Sequence, residues 1–393
     1  MTIEGGQGAA AGRRLRLGMV GGGEGAFIGA VHRIAARLDD RYELVAGALS
    51  SEPERAKASA AALHIAPGRA YGSFTEMAER EAARPDGIDV VAVVTPNHMH
   101  AAPVRAFAER GIHVICDKPL THRLEDALEL AEVVRRSGIV FGLTHNYTGH
   151  PMVRQAREMV AAGAIGPVRV VQVEYPQDWL TTRLEESGQK QASWRTDPAR
   201  SGAAGCVGDI GTHAFNLAEF VTGLRCERLA AELSTFVQGR ALDDNAHMLL
   251  RFAGGARGML WSSQVAPGNE NALRLRVYGE TGGLEWAQEQ PNHLLHSPFG
   301  EPPRLIRRAG AGASPAAAHA SRIPGGHPEG YLEAFAQLYR ELADQIAARL
   351  DRRQPDPASL LVPGLEEGLR GMRFITAAVE SSRRDAAWTA LEG

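Results

Sequence analysis

Leu15-Arg16-Leu17-Gly18-Met19-Val20 runs straight into Gly21-Gly22-Gly23. The first six residues have the apolar spacing of a short strand, and the glycines end it in a turn. A helix is expected next, from about Phe27 to Leu38, because Ile28, Val31, Ile34 and Ala35 recur on one side. The alternation then repeats. Tyr42 to Leu49 reads as a buried strand, and Pro53 opens a helix, since proline suits a first turn. Val90 to Val94 is a strand ended by Thr95-Pro96-Asn97. A helix through Pro103–Arg110 leads to the strand Ile112-His113-Val114-Ile115. Leu124 to Arg136 is helical, and Ile139 to Leu143 is a strand. Strands alternating with helices imply parallel βαβ units in a doubly wound α/β sheet.

The character changes after about Asn146. A helix from Pro151 to Ala162 ends at Gly163, and Val168 to Tyr175 alternates like a strand with one wet face. Further strands are expected over Arg228–Val237, Ala246–Phe252, Arg257–Ser263 and Leu273–Gly279. Ala253-Gly254-Gly255 has hairpin-turn composition. Gly330–Leu350 and Leu365–Ser382 read as helices, and Pro298 to Pro328 as a long loop. This half is expected to be an α+β domain with an open, mostly antiparallel sheet. A chain of 393 residues is long for one core. We expect a flexible tail over 1–14, a dinucleotide-binding domain over 15–147 and a substrate-binding and oligomerisation domain over 148–393.

Composition narrows the function. Net charge is −3 with no long basic run, which gives nucleic acid or a membrane surface no support as a partner. No apolar stretch approaches the ~20 residues that cross a bilayer. Met1 to Arg14 lacks an apolar signal core, and the 3 cysteines form no CxxC pair, so a reducing cytoplasm is expected and no metal.

Two clusters carry chemistry. Lys118, in Cys116-Asp117-Lys118-Pro119, follows an apolar strand that would avoid charge. It stands past the carboxyl end, where open α/β sheets bind ligands. Downstream, Gly208-Asp209-Ile210-Gly211-Thr212-His213 spaces a carboxylate and an imidazole i, i+4, on one face of a helix. If the three groups converge, they could move a proton while a cofactor moves a hydride. The glycine turn suits a pyrophosphate: Gly21 and Gly23 allow close approach, and the helix start at Phe27 and Ile28 presents free N–H groups. Without its flanking strand and helix it would be only a tight turn. At the ribose position Ser50 and Ser51 replace the aspartate that would repel a 2′-phosphate, with Arg55 one turn on. Either NAD or NADP fits, and Arg55 also reads as a solvated helix residue. Thr95, Pro96, Asn97, His98 and His100 close the third strand. No cysteine or carboxylate lies near them in sequence, which favours a pocket wall over a metal site.

These motifs resemble the Gfo/Idh/MocA family of nicotinamide-dependent oxidoreductases, over nearly the whole chain. Asp117-Lys118-Pro119 stands for that family's Glu-Lys-Pro, Thr95 to His100 for its Thr-Pro-Asn-x-x-His, and Gly208 to His213 for its Gly-Asp-x-x-x-His. Its first turn fits Gly21, Gly23, Gly29 and His32 with three residues inserted. Tyr175-x-Gln177-Asp178-Trp179, Ser193-Trp194-Arg195 and Gly325 to Tyr331 resemble the subgroup with levoglucosan and inositol-type dehydrogenases.

The resemblance implies a Rossmann domain and oxidation of a ring alcohol on a neutral sugar, anhydrosugar or cyclitol. His213 would be the base, Asp209 would orient it, and Lys118 would hydrogen-bond the reacting oxygen. Asp117, Lys118 and His100 would belong to the cofactor side. Tyr147, Gln177, Trp179, Trp194, Arg195 and His327 would face the substrate. It also implies a homodimer or homotetramer through the C-terminal sheet. An NAD-dependent glycosidase on the same fold and an inactive sugar-binding sensor are the alternatives.

Overall fold

The computed structural model describes residues 13–391, so the tail expectation for 1–12 lies outside the described residues. The last two tail residues are held: Arg13 pairs with Asp89 at 2.6 Å and Arg14 with Asp40 at 2.5 Å.

Strands β1 (Leu15–Gly21), β2 (Tyr42–Ala48), β3 (Val90–Val94), β4 (His113–Cys116) and β5 (Phe141–Leu143) form a parallel sheet in the order β2-β1-β3-β4-β5. The chain winds one way from β1 to β2 and the other way through β3. The crevice between the carboxyl ends of β1 and β3 is therefore the topological switch point, where open sheets bind ligands. Period-two alternation buries both faces. Val90, Ala92 and Val94 join the core that holds Val31 and Ala35 of helix α1 (Phe27–Leu38). Val91 and Val93 turn to the opposite core, with Val104, Phe107 and Leu130. Helices α2 (Pro53–Ala62), α3 (Phe74–Ala82), α4 (Ala101–Ala108) and α5 (Leu124–Ser137) complete the winding. Helix α3 is an addition to the expected elements, and Ser73 and Glu76 mark its start: Ser73 Oγ accepts from Glu76 N at 3.1 Å.

The second sheet holds β6 (Val168–Pro176), β7 (Cys226–Ser234), β8 (Asn245–Phe252), β9 (Arg257–Ser263), β10 (Arg274–Gly279), β11 (Gly282–Ala287), β12 (His293–Pro298), β13 (Arg304–Arg307) and β14 (Thr389–Ala390). Its order is β13-β12-β11-β10-β6-β9-β8-β7-β14, antiparallel except for β6 beside β9. Two expectations are corrected. Strand β7 stops at Ser234 and does not reach Val237, because the buried Asp244 carboxylate takes the N–H groups of Phe236 and Val237 and folds the chain away. The stretch 298–328 is no bare loop: it carries β13 and helix α10 (Pro315–Ala320).

Helices α6 (Pro151–Ala161), α9 (Thr212–Thr222) and α12 (Leu365–Arg383) cover one face of this sheet; the short α7 (Lys190–Arg195) and α8 (Pro198–Ser201) lead into α9. The other face stays open, with Leu249 and Met259 54% and 50% exposed. Helix α11 (Tyr331–Leu350) crosses back to the first sheet. Its Phe335, Tyr339, Leu342 and Ile346 enter the α1 core, and Tyr339 OH lies 2.8 Å from His32 Nδ1. The expected 148–393 unit therefore lends a helix to the first domain. No helix among the described residues is long and apolar enough to cross a membrane.

Candidate active site

The glycine turn is built for close approach. Gly21 has φ +78°, a left-handed conformation, and a Cβ there would lie 2.8 Å from Thr95 Cγ2. A Cβ on Gly29 would lie 2.4 Å from the Cα of Gly22, so α1 can seat against the turn only with glycine. The extra residues of the loop are tied to α2: Ser59 Oγ accepts from Glu24 N at 3.1 Å, and Arg55 Nη2 donates to Glu24 O at 3.0 Å. No side chain caps the N-terminus of α1. Its first N–H groups are thus left for an anion.

A cavity of about 540 Å³ runs along the carboxyl ends of the first sheet. Among the residues expected to face a cofactor, Gly21, Gly23, Ile28, Ser50, Ser51, Arg55, Thr95, Pro96, Asn97, Asp117 and Lys118 border it. Its size and its uncapped helix end fit a dinucleotide. Two expected residues stand elsewhere. Phe27 is 66% exposed, because the first turn of α1 points it outward while Ile28 turns in. His100 is fully buried, and its ring nitrogens lie 2.7 Å from Pro119 O and 2.8 Å from Thr95 O. It clasps two loops together and does not line the groove. Among the described residues no group of three His, Cys, Asp or Glu side chains is disposed for a metal.

At the far end of this cavity the two domains meet through side chains. Lys118 follows β4 and is aimed by Asp117, which accepts from the Lys118 N–H at 3.0 Å and from Thr144 Oγ1 at 2.7 Å. Lys118 Nζ reaches Asp209 Oδ1 at 3.1 Å and also bonds the Asp209 carbonyl. Arg195 Nε donates to Asp209 Oδ2 at 3.0 Å, and Gln264 Nε2 to the same oxygen at 2.9 Å. Burial pushes the Asp209 carboxyl up, but Arg195 and Lys118 outweigh it and hold the group well below the usual carboxylate range.

Asp209, expected to orient His213, bonds Lys118, Arg195 and Gln264, and no hydrogen bond joins it to His213 among the described residues. Asp209 lies in a π-helical turn, Val207–Gly211, and His213 in the α-helix that follows. The π-helical turn breaks the regular helical spacing between the two residues. The turn itself is anchored by buried Asp243, whose Oδ2 accepts from Val207 N at 2.9 Å. His213 instead packs edge-on against Tyr147 at 4.9 Å and His145 at 5.3 Å. Its Nδ1 is buried without a partner. Burial first, then the Lys118 ammonium, hold its imidazole well below the ordinary value, so the ring is neutral and able to take up a proton.

The wall beyond His213 is a hydrogen-bonded ladder. Trp179 Nε1 donates to Gln177 Oε1 at 3.1 Å, and Gln177 Nε2 to Asn271 Oδ1 at 2.8 Å. Tyr175 OH donates to the same oxygen at 2.7 Å and shares a hydrogen bond with the Tyr147 hydroxyl. The Arg195 guanidinium lies over Trp194 at 4.3 Å and near Trp179 at 5.9 Å. Tyr147, Gln177, Trp179, Trp194 and Arg195 are thus brought together with the Lys118–Asp209 pair. His327 is not: it is exposed and borders a separate cavity with Asn292 and Arg308. Sequence reading missed Tyr175, Gln264 and Asn271 as site residues. The signal was faint: Gln264 and Asn271 are polar residues just beyond a strand end and just before a strand start.

Two family models match. The one described as "Oxidoreductase family, NAD-binding Rossmann fold" covers residues 15–145, and the "GFO/IDH/MocA C-terminal domain" covers 153–285. A crystal structure of an oxidoreductase from Sinorhizobium meliloti is 58% identical, with TM-score 0.87, covering 96% of this chain and 99% of that one. An inositol dehydrogenase homolog from Azotobacter vinelandii, complexed with NADH and myo-inositol, is 36% identical with TM-score 0.89 over 96% and 98% of the two chains. Levoglucosan dehydrogenase of Pseudarthrobacter phenanthrenivorans is 28% identical over 72% of this chain and 76% of its own. With both domains matched in order, the chain belongs to the GFO/IDH/MocA family and is an NAD-binding oxidoreductase.

Proposed function

We propose that this enzyme oxidises a ring secondary alcohol of a neutral cyclic polyol, a cyclitol, anhydrosugar or sugar, to the ketone. The observation that carries the reading is the charge state of the wall beside His213. It offers hydroxyls, amides and indole faces, and its one fixed cation besides Lys118, Arg195, is already paired with Asp209. A carboxylated or phosphorylated substrate would need a free bidentate cation. The similarity to a levoglucosan dehydrogenase, and to an inositol dehydrogenase homolog complexed with NADH and myo-inositol, supports the same class.

The nicotinamide of a bound NAD or NADP supplies the hydride acceptor. The protein supplies the rest. Lys118 donates a hydrogen bond to the reacting oxygen and favours the negative charge that develops there. Neutral His213 takes the hydroxyl proton. Asp209 holds the Lys118 ammonium in place and, as a nearby anion, stabilises the imidazolium that forms. The Gln177–Asn271–Tyr175 ladder binds the remaining hydroxyls, and Trp179 covers the C–H face of the ring.

The test is reduction of NAD and of NADP across a panel of cyclitols, anhydrosugars, aldoses, hydroxy acids and sugar phosphates. A neutral ring should give the highest kcat/KM. Strong preference for an anionic substrate over every neutral polyol would overturn the reading.

A further inference from the structure

We infer that Lys190 and Arg200, on the two short helices that belong to the second sheet's half of the chain, hold the dinucleotide's pyrophosphate from the side opposite the glycine turn. Both border the 540 Å³ cavity, facing the same space as Gly21, Gly23 and Ser50. The other cations of that cavity are committed. Lys118 and Arg195 pair with Asp209, and Arg55 donates to the Glu24 carbonyl. Among the described residues, no acidic group lies within ion-pairing distance of Lys190 or Arg200, and neither side chain has a hydrogen bond. Two uncommitted cations in a groove shaped for a dinucleotide match the two charges of a pyrophosphate.

The backbone around Arg200 is fixed. Asp197 caps α8 by accepting from Ala199 N at 2.9 Å. Asn97 Nδ2, from the loop after β3, donates to Ser201 O at 3.0 Å. Arg200 is thereby pinned beside the switch-point crevice, where the phosphates cross. The glycine turn and α1 offer the pyrophosphate only N–H groups and a helix dipole, and the opposite wall offers full charges. A phosphate gripped from both walls couples cofactor binding to the seating of 190–201 over the groove.

The inference rests on the dinucleotide reading, and the experiment separates the two. Binding of ADP-ribose, which has the pyrophosphate but no nicotinamide, is measured by titration calorimetry for wild type, Lys190→Gln, Arg200→Gln and Arg200→Lys, with 2′,5′-ADP as a probe that lacks a pyrophosphate. Each Gln variant should bind ADP-ribose roughly 5- to 10-fold more weakly at low salt, the loss shrinking as salt screens it. Arg200→Lys should recover most of the affinity. Affinity for 2′,5′-ADP, which keeps only the adenosine-side phosphate of the pair, should fall less than that for ADP-ribose. ADP-ribose should also slow amide exchange over 190–201 in the wild-type enzyme. Neither side chain has a partner to orphan, and circular dichroism checks that the variants fold. Unchanged ADP-ribose affinity in both Gln variants, or a loss seen only with 2′,5′-ADP, overturns the inference. Failure of the wild-type enzyme to bind ADP-ribose at all would instead remove the dinucleotide reading beneath it.

Discussion

Lys118 Nζ lies 3.1 Å from Oδ1 of Asp209, so the lysine at a strand end of one sheet and a carboxylate ahead of a helix on the other close a single ion pair. Both side chains are mostly shielded, at 12% and 15% exposure. The pair is flanked by neutral His213, which burial first and Lys118 second push toward the unprotonated form. Lys118→Ala and His213→Ala should each lower kcat by roughly 10²-fold or more. Cofactor binding should largely survive in both, because the glycine turn lies on other loops. A near wild-type kcat in either variant would remove that residue from the chemistry.

The same pair sets a pH profile. Protonated His213 cannot accept a proton, so oxidation fails on the acid side. Burial and Lys118 lower its pKa, so the acid limb of kcat/KM should fall below the ordinary histidine value of ~6.5. Lys118→Met removes one of the downward causes, and the limb of its residual activity should move up in pH. A limb that stays put would mean that another group limits the rate.

Cofactor choice turns on Ser50. It borders the groove where an acidic residue would repel a 2′-phosphate, and Arg55 stands nearby. Ser50→Asp should shift the ratio of kcat/KM values toward NAD by adding that repulsion. If the NAD-to-NADP ratio does not move, the ribose lies elsewhere in the groove.

What the sequence made legible was mostly periodic. The five parallel strands, the helices between them and the Lys118 and His213 motifs follow from buried alternation and fixed spacing. What escaped was set by tertiary context. The i, i+4 rule put Asp209 and His213 on one face, but the π-turn at Val207–Gly211 hands Asp209 to Lys118, Arg195 and Gln264. Strands β11 to β13 are short and half-wet, so their period is weak. His327 sits in a glycine-rich motif that looked substrate-facing, yet the turn at 324–328 holds it outward; no local pattern reports that. Tyr339 covers His32 from a helix 307 positions away, a partner visible only in the fold.

Stability should fall in mild acid. Buried His145 and His150 are each pushed down to about 3, and His32 to about 4, in every case by burial first. In the unfolded chain such groups bind a proton near pH ~6.5. Between those values the unfolded state holds more protons, so stability rises with pH and drains as pH falls below ~6.5, by up to roughly 1.4 kcal/mol per pH unit for each histidine. Asp209 works in a lower window, since its depressed carboxyl loses its contribution only as pH falls below the usual ~3.9. His150→Phe, at a ring that stacks on Tyr147, should flatten the fall measured by urea unfolding between about pH 7 and about pH 5.5. An equal fall in the variant would place the acid sensitivity elsewhere.

The open face of the second sheet should be an interface between copies of the chain. Leu249, Met259, Tyr278 and Val170 stand on it, 54%, 50%, 42% and 37% exposed. They alternate with polar and paired groups such as Gln172 and the Arg276–Glu174 ion pair, and a broad open sheet face of this mixed kind suits a partner subunit. Light scattering at micromolar concentration should give a dimer or tetramer, and Leu249→Arg with Met259→Arg should release monomers. A wild-type monomer would end the proposal.

Trp179 separates binding from chemistry. Its indole is anchored by Gln177 and lies near the Arg195 guanidinium, so it offers a fixed face rather than a proton or a charge. Stacking on a ring's C–H face acts on ground and transition states alike, which raises affinity without lowering the barrier. Trp179→Ala should therefore raise KM more than it lowers kcat, roughly 10-fold against 2- to 3-fold. Gln177→Ala should do more harm to kcat, because it frees Trp179 and unseats Asn271 and Tyr175 beside His213 together. If Trp179→Ala instead lowers kcat and leaves KM unchanged, the indole shapes the reacting geometry and does not serve as a binding platform, and the neutral ring would have to be held by the hydroxyl ladder alone.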